Sequence, residues 1–158
     1  MAVGQYRVDL KALLGKGSYG SVYKGYNRNT HNPVAIKKIE NAEHLNKSTL
    51  QEIQSLMTVS HENILQLFDV YEDDSAWWLV LELCDLNLET YLTSHNPSLS
   101  KKLVIMQECA IGLSYLHHLD EPIIHRDIKL NNILLKAKGD DQYVVKICDL
   151  VFQSLCQQ

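Results

Sequence analysis

Several things are scarce in this chain, and each shortage closes off a class of function. Cysteine occurs four times, as Cys84, Cys109, Cys148 and Cys156, with no CxxC spacing, so a zinc site is not expected. No apolar run approaches the roughly 18 residues that a bilayer span requires. The opening Met1 to Arg7 holds no apolar stretch of signal-peptide length, and Gly4 is not the second residue, so neither secretion nor myristoylation is expected. Free thiols and an intracellular location follow, cytoplasmic with the nucleus also open. There is no basic excess. The formal net charge is −4, which argues against a nucleic-acid partner. The most basic stretch, Lys136 to Lys138, is short and sits beside Asp140 and Asp141, as in a solvated turn. No repeat or low-complexity segment is seen.

What is present suits a folded protein. Hydrophobic residues make up 46% of the 158 positions and charged residues 22%. That is one domain, or one lobe and part of a second.

Secondary structure can be read from periodicity and turn residues. Strands are expected at Tyr6 to Leu14, Ser21 to Tyr26, Val34 to Ile39, Ile64 to Tyr71 and Ala76 to Leu83. A turn at Asp73-Asp74-Ser75 separates the last two. Ser48 and Gln51 form a capping box for a helix that carries Ile53, Leu56 and Met57. After Leu83 the character changes. Ser100 is expected to cap a helix running to about Leu119, and its apolar residues nearly surround the axis, so it wants partners on more than one side. Two short strands, Ile133 to Leu135 and Tyr143 to Cys148, follow around Gly139-Asp140-Asp141.

Five local patterns carry chemistry. Gly15-x-Gly17-x-x-Gly20-x-Val22 lies between two strands, where glycine lets backbone N–H groups approach phosphates. A dinucleotide fold would follow such a loop with a helix, whereas Ser21-Val22-Tyr23-Lys24 reads as a strand. By itself the pattern is equally a plain glycine-rich hairpin. Lys37 ends the run Val34-Ala35-Ile36-Lys37. Glu52 shares a helix face with Leu56 and Val59, and an ion pair from it would fix a phosphate-binding lysine. Taken singly, both residues read as surface charges. The sharpest pattern is His125-Arg126-Asp127-Ile128-Lys129-Leu130-Asn131-Asn132. Asp127 is suited to accept a hydroxyl proton, Lys129 to neutralise a transferring phosphoryl group, and Asn132 to offer a neutral oxygen to Mg²⁺. His125, flanked by apolar residues, reads as a core histidine. Asp149, at the end of the last strand, can hold a second metal position.

In this order, and over nearly the whole chain, the five patterns resemble those of eukaryotic protein kinases. Lys129 resembles the mark of the serine/threonine type. The resemblance implies an α+β fold of two lobes with ATP between them. A five-stranded N-lobe would span 1–84, and an incomplete helical C-lobe would span 85–158. It implies that Asp127, Lys129 and Asn132 are catalytic and that Asn132 and Asp149 hold Mg²⁺. It further implies nucleotide contacts from Leu14, Gly15, Gly17, Gly20, Val22, Ala35, Lys37, Glu52, Glu82, Cys84 and Leu134. Leu81 would be the gatekeeper, and Leu56, Leu67, His125 and Leu150 a stacked apolar spine. No ribose contact carries over from Asp85 to Glu89.

Two departures stand against this background. The family's Asp-Phe-Gly or Asp-Leu-Gly is here Asp149-Leu150-Val151, and a β-branched residue resists the turn that glycine permits, at about 1–3 kcal/mol. The chain also ends at Gln158 without an activation segment or an Ala-Pro-Glu motif. The expectation is a truncated form that binds ATP·Mg²⁺ weakly and transfers little. Two functions are therefore carried: a serine/threonine kinase acting on protein hydroxyls, and an inactive nucleotide-binding or regulatory fragment acting by contact with a partner.

Overall fold

The computed structural model of the chain describes residues 1–17, 20–40, 53 and 56–150. They form two compact units. The first comprises the described residues of Met1–Thr58 and Gln66–Leu83, and the second Val59–Leu65 together with the described residues from Cys84 to Leu150. The division is not a single cut: Val59–Leu65 is enclosed in sequence by the first unit and packs in the second.

The first unit is an antiparallel sheet. Its strands are β1 (Ala2–Val3), β2 (Tyr6–Gly17), β3 (Gly20–Asn27), β4 (Pro33–Glu40), β5 (Leu67–Glu72) and β6 (Ala76–Glu82), in the order β1-β2-β3-β4-β6-β5. The five expected strands are all there, and β1 adds a short pair along the edge of β2. The expected strand from Ile64 begins instead at Leu67, because Ile64 bridges in parallel to Ile147 of the second unit. One face of the sheet buries Val3, Tyr6, Val8, Val34, Ile36, Ala76, Trp78 and Val80. Tyr6 on β2 and Tyr71 on β5 meet edge to face with ring centroids 6.1 Å apart, although β3, β4 and β6 lie between their strands. The sheet must therefore curl, and the apolar face is the inside of the curl. Gly25 lies there, since an added Cβ would sit 2.6 Å from both the Arg7 carbonyl oxygen and the Ile36 side chain.

The β5–β6 turn is organised by one carboxylate. Asp73 Oδ1 accepts from the backbone N–H groups of Ser75 and Ala76 and from the Ser75 hydroxyl, and Oδ2 accepts from the Trp78 indole at 2.6 Å. These donors, the Ser75 N–H first, pull the carboxyl down to about 2. Ile53, Leu56 and Met57 are helical, with Ile53 and Leu56 buried. The capping box at Ser48 and Gln51 lies outside the described residues.

The second unit holds β7 (Leu86–Asn87), α1 (Leu88–His95), α2 (Leu99–His117), β8 (Ile133–Gly139) and β9 (Gln142–Ile147), with a 3₁₀ turn at Leu130–Asn132 directly ahead of β8. The strands form an antiparallel sheet ordered β7-β8-β9. Helix α1 is absent from the expectations above. Its signals are short: Asn87 caps by accepting Thr90 N–H at 2.8 Å, and Leu88 and Tyr91 bury one side. Asn96, in a left-handed conformation, ends it. Helix α2 starts one residue before the expected cap, because Ser98 rather than Ser100 accepts the free Lys101 N–H. Only Gly112 and Leu116 of α2 are buried. Leu103 and Met106 are 55% and 65% exposed, and Val104 and Ile111 are exposed with them, so the apolar residues do encircle the axis. No helix among the described residues is long and apolar enough to cross a membrane.

Candidate functional site

The register of the first sheet decides where the expected nucleotide residues lie. Cross-strand partners share a face, and faces alternate along a strand. Gly15 pairs with Val22, Val22 with Lys37, Lys37 with Leu79, and Ala35 with Leu81. All six therefore occupy one face, opposite the one that carries Tyr23, Ile36 and Val80. Leu14 falls in the irregularity between the Leu13–Tyr23 and Gly15–Val22 pairs. Ala35 and Lys37 are both only 8% exposed, so the Lys37 ammonium is held within the protein rather than spread into solvent. The Glu82 N–H donates to the Gln66 carbonyl at 2.9 Å, and the Gln66 N–H donates back to the Glu82 carboxylate at 3.4 Å.

The glycines differ in what requires them. Gly17 pairs with Gly20 at the end of the β2–β3 hairpin. Gly20 has φ 145°, and a Cβ there would collide with the Lys38 carbonyl oxygen, so the fold itself demands glycine. Gly15 has nothing within 4 Å of the place where a Cβ would stand. Neither crowding nor a left-handed backbone explains it.

In the second unit the loop between α2 and β8 has no regular structure before the 3₁₀ turn. It is fixed by hydrogen bonds instead. His125, 2% exposed, places Nε2 2.6 Å from the Cys148 carbonyl oxygen. A carbonyl can only accept, so Nε2 carries the proton and Nδ1 is left to accept from the Asp127 N–H at 3.3 Å. The same N–H lies 2.8 Å from the His125 carbonyl, closing a γ-turn around Arg126 at φ 59°. Asn132 Nδ2 donates to the Asp127 backbone carbonyl at 2.9 Å and to its carboxylate at 3.0 Å. The Asn132 carbonyl accepts the Cys148 N–H at 3.0 Å. Lys129 Nζ lies 3.0 Å from Asp127 Oδ2.

The loop thus brings Asp127, Lys129 and Asn132 together and ties them to the residue before Asp149. The Lys129 hydrogen bond, ahead of its charge and the Asn132 bond, holds the exposed Asp127 carboxyl below its usual range. Reciprocally, Asp127 raises the Lys129 ammonium, and the negative charge of Asp149 adds to this. Asp149 stands at φ 64°, a conformation that aspartate tolerates better than most residues. Leu134 on β8 and Cys84 ahead of β7 lie outside this loop. Glu52 and Val151 lie outside the described residues.

The oxygens here suit a hard cation. With Nδ2 of Asn132 committed to Asp127, the amide oxygen remains as a neutral donor, and Asp149 adds a carboxylate. Among the described residues no group of three or more His, Cys, Asp and Glu side chains converges as a cage would require. Two oxygen donors fit Mg²⁺, which keeps waters and substrate phosphates as its other ligands.

The protein kinase domain family matches residues 8–158. The chain belongs to that family. This kinase domain is 39% identical over 158 residues to calcium-dependent protein kinase 5 of Plasmodium berghei, covering 96% of the chain and 27% of that protein. It is 35% identical over 143 residues to a probable serine/threonine-protein kinase of Encephalitozoon cuniculi, covering 90% of the chain and 26% of that protein. A cyclin-dependent kinase 2 homolog of Crithidia fasciculata is 34% identical over 146 residues, covering 88% and 30%. In these cases the kinase domain described here spans under a third of the relative's length. Among solved structures, Rad53 residues 1–466 in complex with AMP-PNP superposes with a TM-score of 0.81 at 26% identity, over 92% of this chain and 38% of that one.

Proposed function

We propose that this chain is catalytic sequence of a serine/threonine protein kinase that transfers the γ-phosphate of ATP to hydroxyls of protein substrates inside the cell, in the cytoplasm. The observation that carries the reading is the bonded loop. Lys129 Nζ and Asn132 Nδ2 each lie 3.0 Å from the same carboxylate oxygen of Asp127. A carboxylate kept ionised and aimed by two donors can accept the proton of a serine or threonine hydroxyl, and the neighbouring ammonium can take up charge on the transferring group.

In nucleotide binding, Lys37 pairs with phosphate, Val22, Ala35 and Leu14 provide apolar contact to the base, and Gly15, Gly17 and Gly20 admit the phosphates. The open space at Gly15 supports this, since the fold gives no other reason for a missing side chain there. Because the Glu82 N–H is donated to Gln66, a contact to the base from this residue falls to its carbonyl. Cys84 and Leu134 supply further base contacts, and Glu52 steadies Lys37. Asn132 and Asp149 would hold Mg²⁺. Bound there, the cation would neutralise phosphate charge.

The test is transfer of labelled phosphate from ATP to a generic protein substrate by the full-length protein. Transfer to serine and threonine, lost in Asp127→Asn with nucleotide affinity retained, is the expected result. A full-length protein that binds nucleotide and transfers nothing would sink the catalytic reading in favour of regulation by contact.

A further inference from the structure

The segment His61-Glu62-Asn63-Ile64-Leu65 has no part in the chemistry above, yet it is tied to the second unit at every residue. Asn63, 5% exposed, is its centre. The Asn63 carboxamide donates to the Val145 carbonyl at 3.1 Å, and the Asn63 backbone carbonyl accepts the Ile147 N–H at 2.9 Å. Leu65 N–H donates to the Ile147 carbonyl at 2.9 Å. The Asn63 N–H reaches His61 Nδ1 at 3.0 Å, and the His61 ring lies 4.6 Å from the ring of Tyr115, whose hydroxyl accepts the Ser60 N–H at 3.4 Å. Glu62 pairs with Lys138 at 2.6 Å. Helix α2 makes room, since an added Cβ at Gly112 would stand 3.0 Å from both the Asn63 carbonyl oxygen and Ile147 Cδ1.

β9 is paired to β8 along one edge. On its other edge, backbone groups of Val145 and Ile147 are taken by Asn63 and Leu65, and the Val145 N–H by Glu108 at 3.2 Å. Asp149 follows Ile147 by two residues and stands at a left-handed φ. A backbone in that region persists only where its surroundings over-determine it. From this geometry we infer that Asn63 is a positioning residue: it clamps the free edge of β9 and thereby sets the direction in which Asp149 presents its carboxylate. Asn63 touches no reacting atom and acts through Val145 and Ile147. The inference rests on the reading of Asp149 as a Mg²⁺ ligand.

The experiment measures ADP affinity by calorimetry in the full-length protein, with Mg²⁺ and with chelator, and reads the ratio of the two. Residues that orient metal ligands from outside cost roughly 10–100-fold in metal affinity when removed. Asn63→Leu keeps the branched shape and loses the side-chain bond to Val145, while the backbone bond to Ile147 remains. It is expected to lower the Mg²⁺-dependent gain by about tenfold, while the affinity in chelator stays within about twofold of the parent. Gly112→Ala presses on Asn63 from α2 and is expected to lower the same ratio less; it decides the matter if Asn63→Leu does not fold. Asp149→Asn separates the two ideas. If it leaves the ratio intact, the reading of Asp149 is wrong. If it abolishes the ratio while Asn63→Leu and Gly112→Ala preserve it, the clamp is refuted and the proposed function stands. Equal loss in Mg²⁺ and in chelator by the folded Asn63 variant would make the residue merely structural and also refute the clamp.

Discussion

The two units solve the same problem, holding functional side chains still, by different means. In the first, position follows from a ladder. Val22, Ala35 and Lys37 share a face because strands alternate, and the pairings of β3 with β4 and of β4 with β6 each impose that constraint. In the second, Asp127 lies in a loop whose geometry rests on individual bonds from His125, Asn132 and Cys148 and on left-handed backbone at Arg126 and Asp149. A ladder tolerates loss of one side chain, because its register is held by all the others. A loop of single bonds does not. Substitutions on the sheet should therefore change what is bound, and substitutions in the loop should change what is done.

The largest effect expected from this contrast is in the loop. Asp127→Asn should reduce phosphoryl transfer by about 10²–10⁴-fold and leave nucleotide affinity near the parent value, as read by labelled transfer and by calorimetry on the full-length protein. A parallel fall in both would erase the contrast between the units. Next comes Lys37→Met. A charge-assisted hydrogen bond is worth roughly 1.5–3 kcal/mol, so nucleotide affinity should fall about 10- to 100-fold. Thermal unfolding of the unliganded protein should show the sheet still cooperative; unchanged affinity would remove Lys37 from the nucleotide site.

A smaller effect separates two glycines on one hairpin. Gly20→Ala should cost about 1–3 kcal/mol of stability, measured as a lower denaturant midpoint, because the carbonyl of Lys38 occupies the space. Gly15→Ala should cost under about 0.5 kcal/mol and instead weaken nucleotide binding. Equal destabilisation by both would mean that Gly15 is also structural.

The smallest effect concerns acid. The folded-state value of Asp73 is depressed to about 2 from the ordinary aspartate value of 3.8. Between these values the unfolded chain binds the proton and the folded one does not, so this contribution is fully present above the higher value. It is lost as pH falls toward the lower. Asp73→Asn should therefore flatten the decline of stability between about pH 4 and pH 2, seen as a smaller shift of the melting temperature across that window. An unchanged slope would assign the acid sensitivity to other carboxylates.

How legible each part was in the sequence follows the same division. Strands with dense Val, Ile and aromatic patterning, such as Val34 to Ile39 and Ala76 to Glu82, declare themselves because burial on both faces leaves little else for them to be. The loop His125 to Asn132 declares its chemistry through residue types but not its construction. That Nδ1 of His125 accepts and Nε2 donates depends on Cys148, which is 23 positions away. Asn63 gave no signal. An asparagine beside Ile64 reads as a turn residue, and its partner Val145 lies 82 positions further on. Helix α1 escaped because one cap and two buried side chains are too few to show a period. The start of α2 is hard to read because Ser98 and Ser100 are chemically alike, and the Lys101 N–H decides between them by donating to Ser98.

The crossing of the chain between the units has a consequence for synthesis. Asn63 leaves the ribosome long before Val145, which accepts its amide, and before Ile147, which completes the pairing. At about 5–20 residues per second, the 82 intervening positions take roughly 4–16 s to appear. During that interval Asn63 and Ile64, both buried in the finished fold, have no β9 to bind, while β5 and β6 emerge directly behind them, β6 able to pair with β4 and β5 with β6. The sheet of the first unit can thus be assembled around a loop still waiting for its partner. A ribosome stalled anywhere before Val145 would hold the nascent chain with that segment uncovered.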